Sequence, residues 1–68
     1  MKGSEFIDRS ARWAKANGRE WRVDTSRGKG GHKLLFVGER RTTVQTGEIP
    51  AGTLHAMLKQ LAIPKEEF

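Results

Sequence analysis

The sequence contains no cysteine, which removes disulfides, thiolate metal sites and a cysteine nucleophile together. It also has no apolar run long enough for a membrane-spanning helix or a secretory signal. Neither is therefore expected, and the expected setting is cytoplasmic. Acidic side chains are the minority, with 8 Asp and Glu against 13 Lys and Arg, leaving a net charge of +5 over 68 residues. A chain of this length forms one domain, residues 1–68, with a thin core. A positive balance points to a polyanion or an acidic partner without choosing between them.

What is present divides into five elements. Phe6, Ile7, Ser10, Ala11, Trp13 and Ala14 share one face at 100° per residue, which predicts a helix over Ser4–Asn17. Ser4 reads as its N-cap, Glu5 suits its positive end, and Asn17-Gly18 suits its end. Glu5 with Arg9 and Asp8 with Arg12 are spaced as i,i+4 pairs of favourable order. Alternation over Glu20–Asp24 predicts a first strand, and residues 25–31, with three glycines and no periodicity, predict a loop. His32–Val37 is a second strand whose Leu34-Leu35-Phe36-Val37 run is apolar on both faces, so alternation does not say which side is core. Gly38-Glu39 fits a two-residue hairpin turn into a third strand, Arg40–Thr46, rich in β-branched residues. Pro50 opens a second helix with Leu54, Met57, Leu58 and Leu61 as its core stripe, and Pro64 stops it. Phe68 is placed to fold back over the core. The expected fold is α+β, in the order α-β-β-β-α, with a three-stranded antiparallel sheet and both helices on one face.

The segment Arg27-Gly28-Lys29-Gly30-Gly31-His32-Lys33 carries the most chemistry. Its glycines permit close approach of backbone to a bulky ligand, and successive amides in such a loop can form an anion-binding nest. Arg27, Lys29 and Lys33 surround that nest with positive charge, and His32 stands where the loop meets the strand. The glycine spacing matches neither a P-loop nor a dinucleotide fingerprint. For RNA the nucleophile can be the substrate's own 2′-OH, so neither a metal nor another cofactor is expected. An imidazole is the side chain suited to take that proton near neutral pH, and adjacent cations stabilise the charge that builds on phosphorus. The plainer readings are a surface histidine at a strand start and a flexible hairpin loop; on the residues alone, a basic binding module outranks an enzyme.

Other candidates are weaker. His55 reads as a boundary residue of the last helix, and the two histidines lie on different elements with no carboxylate at ligand spacing. Trp13 and Trp21 both read as core, because each falls on the apolar side of its element. Arg40 and Arg41 read as surface charge, with phosphate contact as the minority alternative.

The sequence resembles the HicA family of toxins over nearly its whole length. The likeness rests on Met1-Lys2-Gly3-Ser4-Glu5-Phe6, on the small-small-His motif Gly30-Gly31-His32, and on Gly38-Glu39-Arg40-Arg41-Thr42-Thr43-Val44. It extends to Gly47-Glu48-Ile49-Pro50-Ala51-Gly52-Thr53-Leu54 followed by Leu58-Lys59-Gln60-Leu61. The specificity lies in the order and spacing of these pieces. The resemblance implies a fold like that of double-stranded-RNA-binding domains, a role as an mRNA interferase in stress response, metal-independent RNA cleavage, and His32 as the catalytic residue. Arg27, Gly28, Lys29, Gly30, Gly31 and Lys33 would then bind RNA. It also implies a cognate HicB-type antitoxin that covers the site. Two features depart from the pattern: the stretch from Gly18 to His32 is longer than usual, and Val44-Gln45-Thr46 stands where many members carry Val-Pro and a second histidine.

Two alternatives remain open from sequence. A non-catalytic double-stranded-RNA-binding module has the same helix order, but such modules usually place lysines at the start of the last helix, where this chain has Pro50-Ala51-Gly52-Thr53. A basic adaptor for an acidic protein is the other.

Overall fold

The computed structural model describes residues 1–25 and 32–68. The expected α-β-β-β-α order is observed: α1 (Gly3–Ala16), β1 (Trp21–Asp24), β2 (Lys33–Val37), β3 (Arg40–Val44) and α2 (Ala51–Leu61), followed by a 3₁₀ turn over Lys65–Glu67. The sheet is antiparallel with β2 in the centre. Val23 pairs with Leu35 and Arg22 with Phe36 on one side of β2; Leu35 pairs with Thr42 and Phe36 with Arg41 on the other.

Side-chain alternation along β2 decides which of its apolar residues are core. Leu35 and Val37 are fully buried, with Thr42 and Val44 of β3, against Phe6, Trp13 and Ala14 of α1 and Met57, Leu58 and Leu61 of α2. Both helices therefore cover one face. Leu34 and Phe36 occupy the other face and are only half-buried, because neither α1 nor α2 lies over them.

The entrance to α1 differs from expectation. Lys2 and not Ser4 is the capping residue, and no side chain caps the helix. A tertiary contact does that work: Lys2 forms a β-bridge with Glu48, the Gly3 amide donates to the Gly47 carbonyl at 3.1 Å, and the Ile49 amide donates to the Met1 carbonyl at 2.8 Å. The close approach needs glycine at position 3, since a Cβ there would stand 1.8 Å from the Gln45 carbonyl oxygen. The far end of α1 follows the sequence reading, with Asn17 as C-cap and Gly18 in the left-handed region at φ +65°.

The second helix ends before Pro64. Ala62 adopts φ 58°, its amide donates to the Lys59 carbonyl at 3.1 Å and the Ile63 amide to the Leu58 carbonyl at 3.0 Å. That paired pattern is a Schellman motif with alanine in the position usually held by glycine. The chain then returns over α1. Phe68 packs on Phe6 with ring centroids 5.1 Å apart, and the Trp13 indole donates to Glu67 at 3.0 Å. The expected C-terminal cover is thus present.

Two further expectations need correction. Among the described residues, neither Glu5–Arg9 nor Asp8–Arg12 closes to ion-pair distance; Arg9 instead lies 5.3 Å from the centre of the Phe68 ring. Trp13 is core at 8% exposure, but Trp21 is 40% exposed. The cause is its place on the edge strand, since the helices pack chiefly over β2 and β3.

Candidate nucleic-acid interface

His32 immediately precedes the central strand and is exposed to solvent. Hydrogen-bonded neighbours on both sides of β2, through the pairs Asp24↔Leu34 and Lys33↔Val44, fix the backbone that follows it. The imidazole is thus carried by the most constrained strand of the sheet and can be reached from outside. The glycines and cations expected to flank it, Arg27, Gly28, Lys29, Gly30 and Gly31, lie outside the described residues.

Lys33 is half-buried and belongs to the helix-covered side with Leu35 and Val37. It lines a small concavity of about 200 Å³ with Gly3, Ser4, Ile7, Val44, Gln45 and Thr46. This sets Lys33 beside the first turns of α1. Alternation continued one residue before β2 puts position 32 on the opposite side, with Leu34 and Phe36. The two neighbours in sequence thus address different sides of the sheet.

The uncovered face combines cations with an aromatic ring. Arg22, Phe36 and Arg41 form one cross-strand row, and Asp24, Leu34 and Thr43 form the next. The Arg22 guanidinium carbon lies 4.4 Å from the centre of the Phe36 ring, well within cation–π range. Beside this pair is a shallow concavity of about 550 Å³ lined by Glu20, Trp21, Arg22, Phe36 and Gly38. The sequence reading missed this cluster. Its β2–β3 half was available, because a two-residue turn at Gly38-Glu39 forces Phe36 opposite Arg41. Its β1–β2 half was not, because the register across the long connection cannot be counted from residue types.

His55 is exposed on α2, where it lines a concavity of about 300 Å³ with Leu58, Lys59, Ile63, Pro64 and Lys65. It belongs to the helical layer and not to the central strand that His32 precedes. Among the described residues no three His, Asp or Glu side chains stand close enough to share a metal ion, and no helix is long and apolar enough to cross a membrane.

No protein-family model, no curated protein and no solved structure matches the chain.

Proposed function

We propose that this protein is an endoribonuclease, the toxin half of a toxin–antitoxin pair, and that His32 is its catalytic residue. The chemistry is internal transesterification. The ribose 2′-OH attacks the adjacent phosphorus, its proton passes to the His32 imidazole, and as the bond to the 5′-oxygen of the next nucleotide breaks that oxygen takes a proton back from the imidazolium, directly or through water. The products are a 2′,3′-cyclic phosphate and a 5′-OH end. Because the substrate supplies the nucleophile, the protein need supply only a group that accepts and returns one proton, and positive charge near the phosphate. Arg27 and Lys29, with the amides of Gly28, Gly30 and Gly31, would hold the phosphate on the His32 side of the strand. Lys33 would meet the RNA backbone from the helix side.

The observation that carries this reading is an exposed histidine at the mouth of the central strand, directly after a Gly-Gly pair in a chain of net charge +5. The HicA-like order of motifs supports it. The same resemblance proposes an HicB-type antitoxin covering the site, and a cytoplasmic setting, expected from composition, completes the reading.

A second reading, a non-catalytic double-stranded-RNA-binding module, is favoured by the α-β-β-β-α order. Against it, the first turn of α2, Ala51-Gly52-Thr53, offers no cation to grip phosphates across a duplex groove. One assay separates the two. Purified protein incubated with single-stranded RNA in EDTA should cut it, and His32→Ala should lower the rate by about 10²-fold or more with an unchanged circular dichroism spectrum. Equal rates for the two proteins would remove His32 from the mechanism. Tight duplex binding with no cutting of any RNA would establish the second reading instead.

A further inference from the structure

We infer that the concavity beside the Arg22–Phe36 pair is a recognition pocket for one unpaired, amino-bearing nucleobase of the RNA. The inference rests on the RNA reading above and specifies where sequence preference would arise.

Four features converge on this pocket. Its floor includes the aromatic ring of Phe36, which the helices leave half-buried on the uncovered face. The Arg22 guanidinium already lies against Phe36, and flat guanidinium and aromatic surfaces are what unpaired bases stack upon. Gly38, at φ +59°, closes one end without a side chain, leaving room beside the Phe36 ring. Glu20 supplies a carboxylate on the same rim. A carboxylate accepts hydrogen bonds and donates none, so it favours bases with an exocyclic amine, such as cytosine, over uracil. The volume, about 550 Å³, falls within the usual span of small-ligand sites.

Charge and placement choose RNA as the occupant. Arg22 and Arg41 flank Phe36 in one row, ready to meet phosphates on either side of a stacked base. Phe36 lies four residues along the chain from His32, roughly 13 Å if extended backbone continues one residue before β2. A strand laid along β2 would therefore seat a base in the pocket a couple of nucleotides from the phosphate at His32. The pocket acts on where the RNA is cut, and His32 on whether it is cut.

The test is equilibrium binding of fluorescein-labelled eight-nucleotide RNAs, oligo-C, oligo-U and an abasic ribose-phosphate chain of equal length, in low salt with EDTA. His32→Ala serves as the background so that no RNA is lost to cleavage. On that background, oligo-C should bind about 5-fold or more tightly than oligo-U, and both more tightly than the abasic chain. Adding Phe36→Leu, which keeps an apolar side chain on the sheet, should weaken oligo-C by about 5- to 100-fold and leave the abasic chain unchanged. Phe36→Tyr should retain wild-type affinity. Glu20→Ala should erase the preference for C over U. Unaltered oligo-C affinity in Phe36→Leu and Arg22→Ala alike would overturn the pocket while leaving the nuclease reading intact; a protein partner on this face would give that result. Failure to bind any oligonucleotide would overturn both. Base-dependent binding by a protein that never cuts RNA would support the pocket and reject the nuclease.

Discussion

Gly3 and Ser10 lie two turns apart on the same face of α1, and both are buried. They carry opposite expectations. A Cβ at position 3 would collide with the Gln45 carbonyl at 1.8 Å, and the obstacle is backbone, which cannot swing aside. Gly3→Ala should therefore lower stability by at least about 2 kcal/mol. Gly47→Ala, whose added Cβ meets nothing within 4 Å, should be nearly neutral. Thermal unfolding checks this, and equal midpoints for the two variants would contradict it. Ser10 is fully buried and its hydroxyl has no hydrogen-bond partner among the described residues. Ser10→Ala removes a desolvated polar group and improves helix propensity. It should raise stability by about 1 kcal/mol, or about 4–8 °C in Tm for a domain of this size; a lower Tm would show that the hydroxyl has a function in the fold.

At the scale of elements, the helix ends are the informative places. Gly18 and Ala62 both hold left-handed backbone, at φ 65° and 58°. Only one is the residue that conformation favours. Ala62→Gly should stabilise the protein and Gly18→Ala should destabilise it, each by about 1 kcal/mol. Urea midpoints moving in opposite directions would confirm the pair; a loss of stability in Ala62→Gly would mean the αL strain is outweighed by what its methyl packs against. These ends also mark what could be foreseen. Asn17-Gly18 announced its own stop, because the signal is local. The start of α1 did not, because its cap is a bridge to Glu48, remote in sequence. In the same way the helical stripes and the Gly38 hairpin were legible from spacing, and the β2–β3 register followed. The exposure of Trp21 was not, since it depends on how far the helices reach across the sheet. The Arg22–Phe36 contact was hidden for a related reason, the uncounted register between β1 and β2. His32 was legible as a candidate because Gly30-Gly31 precede it in the chain. That Lys33 turns toward α1 follows from alternation only once the buried side of β2 is known.

The whole molecule is a small cation with one covered and one uncovered sheet face. Its net charge of +5 makes association with RNA an exchange of counterions, with each phosphate neutralised contributing about 0.7 to the slope of log affinity against log salt for a single strand. Binding of single-stranded RNA should fall at least about 10-fold between 50 and 200 mM salt. An adaptor built only for an acidic protein would show no measurable RNA binding at either concentration. Mutations on the uncovered face should change which RNAs bind, whereas loss of exposed cations on the helices should weaken all RNAs alike. The most direct measurement is the chemistry of the cut ends. RNA of mixed sequence, digested in EDTA and analysed by mass spectrometry, should yield 2′,3′-cyclic phosphate and 5′-OH termini, while a 2′-O-methyl copy of the same sequence stays whole and His32→Ala leaves the RNA uncut. Fragments ending in 3′-OH, or cleavage of the 2′-O-methyl strand, would contradict a histidine that works by activating the substrate's own ribose hydroxyl.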